Sequence, residues 1–216
     1  IKAYDQSEKE AILSAPIEIL RTWDFAVSKE SIAMTLAHYY GINYLKNGVR
    51  PNGLKFTELV QYWSEASPES ERLLLFKNVI ADLNKDFGSW NQPWGQVNRY
   101  QRLNGAIRQN FSDEKPSLPI GLASGNWGAL AAYGSRYDNN TKKIYGTRGN
   151  SFVAVVSFGD RLKAKSILAG GQSGDPSSPY FDDQISLYAN CSFKEVAFYR
   201  EDVEARAQIK YQPGLR

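Results

Sequence analysis

The helical repeat of apolar residues ends near Ser89 and strand-like runs follow later in the chain, and this change restricts the fold more than any other feature. Before it, five apolar residues recur three or four positions apart, namely Leu73, Phe76, Ile80, Leu83 and Phe87. After it, the run from Ser151 to Phe158, SFVAVVSF, is typical of a strand that is covered on both faces. A helical N-terminal half followed by a mostly antiparallel sheet with flanking helices predicts an α+β fold.

Local signals place further helices in the first half of the chain. Ser14 and Pro16 indicate a helix start, because proline is tolerated in a first turn. Two more helices are predicted over 30–46, ended by Asn47 and Gly48, and over 56–65. Ser67, Pro68 and Glu69 supply a capping residue, a first-turn proline and a first-turn carboxylate for the helix that Gly88 ends.

The second half predicts short strands and two helices. The stretch that begins at Ser89 shows no clear period, and 112–119 is polar and contains proline. The predicted elements then follow in order: strands over 120–122, 129–133, 142–145 (with a turn at Gly146 and Gly149), 151–158 and 163–168, a helix over 181–189, a strand over 194–199, a helix over 201–208 and a tail at Pro213-Gly214. We expect a helical lobe over 1–110 and a C-terminal region of strands and helices over 111–216.

The composition excludes several classes of protein. Apolar residues make up 42% and charged residues 23% of the 216 residues, which is ordinary for a globular chain. The net charge of +3 is spread along the chain, so we expect no nucleic-acid partner, and no apolar run is long enough to span a membrane. A single histidine and a single cysteine cannot form a Cys/His zinc site. Since the chain begins with Ile1 and shows no signal peptide, we expect its N-terminus to arise from a cut.

Spacing alone identifies no catalytic, cofactor-binding or metal-binding residue. Ser124 lacks the flanking glycines of a nucleophile elbow, and His38 has no second histidine to work with. Asp182 and Asp183 are adjacent and so point to different sides of a helix; the first suits a helix N-terminal charge. The loop over 170–179, GGQSGDPSSP, fits either a sharp turn, which we favour, or a nest of N–H groups that binds an anion.

Aromatic residues are frequent, at 13% of the chain. Most of them suit a well-filled core or an interface. The alternative is that the loops near Trp90, Trp94 and Trp127 bind a small acyl or sugar ligand.

Residues 146–207 together carry a more specific signal than any single motif. They contain GNS before the apolar strand, VVSFGDR, GGQSGDPSSP and an aromatic-Asp-Asp-Gln helix, with LRTWD (20–24) and PWGQVNR (93–99) upstream in the right order. In this order they closely resemble the C-terminal end of the penicillin acylase family, which includes penicillin amidases and acyl-homoserine-lactone acylases of the N-terminal-nucleophile hydrolase superfamily. Tyr180 departs from the pattern, since relatives often carry histidine there.

The resemblance implies the C-terminal part of an acylase β chain within an αββα sandwich. In that family the β chain's N-terminal serine attacks a linear amide with its own α-amine as base, and the serine, the oxyanion-hole asparagine, the acyl pocket and the calcium ligands all lie upstream of the part resembled here. The parent would hydrolyse an N-acyl substrate such as an acyl-homoserine lactone or a β-lactam side-chain amide, commonly in the periplasm. This segment alone is then structural, with no cofactor of its own and with the remaining α and β chains as partners.

Two other functions stay open from the sequence, a complete small enzyme that shares this end and a stand-alone module that binds a small ligand. The acylase interpretation also carries a physical expectation. If the strands that pair with Phe152 to Val156 belong to polypeptide outside this sequence, an apolar surface and an open edge remain. The isolated chain is then expected to self-associate.

Overall fold

A computed structural model describes residues 1–212 and Gly214, and its contacts divide the chain into two compact units. The first unit comprises Ile1–Gln101 and Asn110–Thr147, and the second comprises Arg102–Gln109 and Arg148–Arg216. Helices and two sheets together confirm the α+β class. The lobes expected over 1–110 and 111–216 of an acylase chain stay a prediction.

Six helices and one π-helical turn belong to the first unit. They are α1 (Lys2–Gln6), α2 (Ala11–Arg21), α3 (Ile32–Asn47), α4 (Phe56–Gln61), the π-helical turn (Tyr62–Ala66), α5 (Glu69–Phe87) and α6 (Trp94–Val97). The helices predicted over 30–46, 56–65 and 73–87 are confirmed, whereas α6 lies in the stretch without a period and was not predicted. Helix α3 packs against α2, α5 and α6.

Capping and burial explain the two longest helices. The Ser31 side chain accepts a hydrogen bond from the Met34 N–H at the start of α3. Gly88 ends α5 with a φ of 77°, a left-handed conformation that costs glycine little. Between these ends, Leu36 of α3 and Val79 and Ile80 of α5 are completely buried in one core.

Two predicted helix starts are wrong. Helix α2 begins at Ala11, so that Pro16 lies inside it and removes one backbone hydrogen bond. Burial of Leu13 and Ile17 on one face of α2 offsets this loss. Ser67 does not cap α5, because its hydroxyl donates to the Trp63 carbonyl, 2.8 Å away, and the N-cap position is Pro68.

The sheet of the first unit has the strand order β2-β1-β4-β3. Its strands are β1 (Asn98–Tyr100), β2 (Leu118–Pro119), β3 (Tyr133–Arg136) and β4 (Ile144–Gly149), with β1 antiparallel to β2 and parallel to β4. Strand β2 begins two residues before the strand predicted over 120–122. Strand β3 begins four residues after the start of the strand predicted over 129–133 and shares only Tyr133 with it. The turn predicted at Gly146 is not observed, because Gly146 lies within strand β4. A Cβ atom on Gly146 would lie only 2.1 Å from the Tyr133 ring, so glycine is required at this position.

The second unit contains an antiparallel sheet of order β5-β6-β7. Its elements are β5 (Phe152–Ser157), β6 (Lys163–Leu168), α7 (Ile185–Ala189), β7 (Lys194–Val196) and α8 (Arg200–Arg206). The hairpin predicted across Gly159 and Asp160 is confirmed, with Phe152 opposite Leu168 and Ser157 opposite Lys163. Helix α7 and strand β7 are shorter than predicted, and Pro213 of the expected tail lies outside the described residues.

Candidate functional site

Strand β5 is an edge strand of the second unit's sheet. Within the described part of the chain its only strand neighbour is β6. Phe152 is 59% exposed and Val155 58% exposed, and Val156, on the opposite face from Val155, is also exposed. Because successive residues of a strand point to opposite faces, apolar side chains of β5 meet solvent on both faces. This is the open apolar edge that the sequence led us to expect, and β5 is the first element of the candidate site.

The glycine-rich loop over 170–179 is the second element, and Arg102 holds it from within the same unit. The guanidinium donates to the carbonyl oxygens of Ser173 (2.8 Å) and Phe181 (2.5 Å) and makes a longer contact of 3.5 Å with that of Gly171. It also lies 4.3 Å from the centre of the Phe181 ring. A planar guanidinium suits this arrangement, since its five donors form a rigid fork.

These contacts favour the turn over the anion nest. An anion nest requires convergent N–H groups, whereas here carbonyl oxygens converge on a cation. Gln184 closes the loop, because its backbone N–H donates to the Gly170 carbonyl and its side-chain oxygen accepts from the Leu168 N–H.

The structure corrects the role predicted for Asp182. Helix α7 starts at Ile185 with Gln184 at its N-cap, so Asp182 and Asp183 precede the helix, and Asp182 is not in its first turn. Gln184 is held by its hydrogen bonds to Gly170 and Leu168, and the helix begins at the next residue.

Close packing of the loop predicts a sharp difference between two of its glycines. A Cβ on Gly171 would lie 2.1 Å from the Tyr180 carbonyl oxygen, whereas a Cβ on Gly174 would meet nothing within 4 Å. We expect Gly171→Ala to lower the free energy of unfolding by roughly 1–3 kcal/mol and Gly174→Ala to have little effect. Urea denaturation of both variants checks this, and equal stabilities would contradict the described packing.

Ser124 and His38 lie in the first unit and have structural partners. The Ser124 hydroxyl accepts from the Asn126 N–H and caps a short 3₁₀ turn, Gly125–Trp127. His38 accepts from the indole N–H of Trp127 through Nδ1 at 3.2 Å and packs against the Trp94 ring, 4.7 Å between ring centres. Burial lowers the pKa of His38 from 6.5 to about 4. A neutral, buried imidazole with an aromatic partner suits the structural role that the sequence favoured.

The three tryptophans suggested as a ligand-binding surface do not share one role. Trp94 is only 1% exposed, belongs to the core and donates to the Leu122 carbonyl at 2.9 Å. Trp90 packs against the same core. The core interpretation is therefore correct for Trp94, whereas Trp127 lines a cavity in the described part of the chain.

Two other features, a metal-binding cluster and a membrane-spanning helix, are absent from the described residues. No group of three or more His, Cys, Asp or Glu side chains there is placed to hold a metal ion. Among the same residues, no helix combines the length and the apolar character needed to cross a membrane.

Comparison with known proteins identifies the family. The family model for penicillin amidase matches residues 2–205, which is nearly the whole chain. The chain belongs to the penicillin amidase family. It is also similar to a thermostable penicillin G acylase from Alcaligenes faecalis, with 14% identity and a TM-score of 0.46. That match covers all of this chain and 45% of the acylase chain, so this penicillin-amidase-family chain spans less than half the length of that acylase chain.

Sequence reasoning missed Arg102 of this penicillin-amidase-family chain. Arg102 lies in a stretch without a period, and the Phe181 carbonyl that it binds is 79 positions further along the chain. No local pattern links an arginine to a loop so distant. The sequence offers no signal that could have linked the two.

Proposed function

We propose that this chain is the C-terminal segment of an amidohydrolase that hydrolyses the linear amide of an N-acyl substrate. Membership of the penicillin amidase family over residues 2–205 carries the proposal. The substrate class is an acyl-homoserine lactone or a β-lactam with an amide side chain, and the remaining acylase α and β chains are the partners. Their serine nucleophile, oxyanion donors and calcium ligands complete the enzyme, and the expected compartment is the periplasm.

Within this enzyme the segment has a structural role. The support for this role comes from two local observations in the described residues. Ser124 acts as a cap, and the hydrogen bond of His38 goes to Trp127 rather than to a hydroxyl. A nucleophile activated by a general base needs the two side chains within hydrogen-bonding reach, and neither residue has such a partner.

The exposure of strand β5 supports the proposal that this chain assembles with further acylase polypeptide. An apolar edge strand is a template for pairing with another strand, and proteins normally cover or charge such edges. The apolar residues Phe152, Val155 and Val156 are all exposed, and no lysine, proline or bulge interrupts the run between them. In the assembled acylase we expect another polypeptide segment to pair with β5 and to cover both of its faces.

Mass spectrometry and N-terminal sequencing of every chain that co-purifies with the native protein test this proposal. We expect a larger polypeptide that begins with serine and contains this sequence at its end, together with amide hydrolysis of an acyl-homoserine lactone or a penicillin. Hydrolysis by the 216-residue chain alone, abolished by Ser124→Ala, would overturn the structural role. A chain that purifies alone and binds ligands without hydrolysis would favour the stand-alone binding module.

The open edge predicts concentration-dependent self-association of the isolated chain. Val155→Glu introduces a charge that Lys165, opposite on β6, can pair with, so the hairpin is retained. Burying that carboxylate against a second copy is unfavourable, and we expect association to weaken roughly tenfold or more. Sedimentation velocity measures this, with Leu74→Glu as the control because Leu74 is exposed on α5 in the first unit. A monomer at every concentration would show that β5 is not a pairing edge.

A further inference from the structure

A cavity in the first unit is separate from the elements of the candidate site. Its volume is about 440 Å³, and it lies among α1, α2, α3, α4, the π-helical turn and α5, with Trp127 from the 3₁₀ turn. Volumes in this range are typical of sites for small molecules. Five aromatic side chains form much of its wall: Tyr40, Tyr44, Trp63, Phe76 and Trp127.

The aromatic wall is fixed in position by its own contacts. The Tyr40 ring meets the rings of Tyr44 and Phe76 edge to face, at 5.1 and 5.6 Å between ring centres. The indole N–H of Trp63 donates to the Val49 carbonyl at 2.8 Å, and that of Trp127 donates to His38. Both indoles thus have their only donor occupied outside the cavity, so their carbon surfaces are what a ligand meets.

Both charged side chains of the cavity wall are cationic. Lys2 and Arg72 line it, and no aspartate or glutamate does. The Arg72 Nε donates to the Ser67 hydroxyl at 3.1 Å, but no carboxylate among the described residues forms an ion pair with this guanidinium. Ser67 is itself held by Tyr44, so that Arg72 is oriented from one side. Its Nη groups remain available to a ligand, and a guanidinium recognises a carboxylate with two parallel hydrogen bonds.

We propose that this cavity binds a small monocarboxylate with an apolar, aromatic or aliphatic, body. The carboxylate binds Arg72, and the body packs against Tyr44, Trp63 and Trp127. Charge selects an anion over an amine, and the apolar wall selects a hydrophobic body over a polar one such as a sugar acid. The proposal concerns the first unit only and does not depend on the amide hydrolysis proposed above.

Calorimetric titration of the purified protein, in the assembly in which it occurs, tests the binding site. The serine nucleophile of the proposed acylase is first blocked covalently, so that the amide probe is not hydrolysed. The probe is 3-phenylpropionate, and its primary amide and the amine 3-phenylpropylamine are matched in shape but not in charge. We expect the carboxylate to bind roughly tenfold or more tighter than the amide, since a hydrogen bond to a charged group contributes about 1.5–3 kcal/mol. The amine should bind weakest. Equal affinity for carboxylate and amide, or no binding at millimolar concentration, would overturn the proposal.

Variants of the cavity wall locate the site. Arg72→Leu should remove the preference for the carboxylate and leave the affinity for the amide nearly unchanged. Lys85→Gln, which removes a charge from the exposed side of the same helix, should change neither affinity. Val60→Trp, at a partly exposed position of the wall, should weaken both ligands by filling the cavity without requiring Arg72 to change. If both Arg72→Leu and Val60→Trp leave carboxylate binding intact, the carboxylate binds elsewhere. This result would contradict the assignment of the site to this cavity.

Discussion

Replacing Arg102 with methionine is expected to lower the free energy of unfolding by roughly 2–4 kcal/mol. The substitution leaves the carbonyl groups of Ser173 and Phe181 without their donor and removes the contact between the guanidinium and the Phe181 ring. A carbonyl group that stays buried without a donor costs about 1–3 kcal/mol, and the cation–π contact adds about 1 kcal/mol. The loop over 170–179 then lacks the guanidinium that joins Ser173 to Phe181, although the hydrogen bonds of Gln184 remain.

Two control variants separate charge from geometry at this position. Arg102→Lys keeps the charge but supplies a single ammonium group in place of a planar fork, so we expect it to recover less than half of the lost stability. Arg108→Met, at an exposed position of the same segment, should have little effect. Urea denaturation measures the stabilities, and hydrogen exchange of the loop amides shows whether the loss is local. Full stability of Arg102→Met would mean that the loop holds its own conformation.

The parts of the fold that were predictable from the sequence are those determined by neighbouring residues. The apolar period of α5 and its terminal Gly88 lie within a single helix, and the β5–β6 hairpin is defined by two adjacent runs and the turn between them. Local patterns carry such elements because side chains three, four or two positions apart share a face. The elements predicted wrongly depend on distant contacts instead. Pro16 is tolerated inside α2 because Leu13 and Ile17 are buried by other helices.

The candidate site was predictable only in part for the same reason. The apolar run of β5 was visible as a strand that needs cover, and the structure shows that its described neighbours leave both faces open. The turn at 170–179 was visible from its glycines, but the donor that holds it was not, because Arg102 lies far away in the sequence. Trp94 could not be distinguished from Trp127 by pattern, since one is a core residue and the other faces the cavity only after the chain has folded.

His38 is expected to make the stability of the first unit depend on pH between about 6.5 and 4. The indole N–H of Trp127 can only donate, so Nδ1 of His38 must accept and the imidazole must be neutral. Burial lowers the pKa of the folded imidazole to about 4 from its ordinary 6.5. Below pH 6.5 the unfolded chain therefore binds a proton that the folded chain does not. The contribution of His38 to the free energy of unfolding is therefore complete above this pH. It falls as the pH decreases, and roughly 3 kcal/mol is lost by pH 4.

Substitution of His38 by glutamine isolates this contribution, because the amide oxygen can accept from Trp127 and does not titrate. The free energy of unfolding of the wild type should fall by up to about 1.4 kcal/mol per pH unit across this window, while that of His38→Gln should be nearly flat. Asp5, Asp138 and Asp175 have pKa values lowered below 3.8 by their hydrogen-bond donors, so their protonation adds slope only at the acidic end of this window. They add it equally to the wild type and to His38→Gln. The chain has no other histidine. A wild-type slope above about pH 5 that His38→Gln retains would therefore mean that the imidazole is protonated in the folded protein, and the bond to Trp127 could not exist as described.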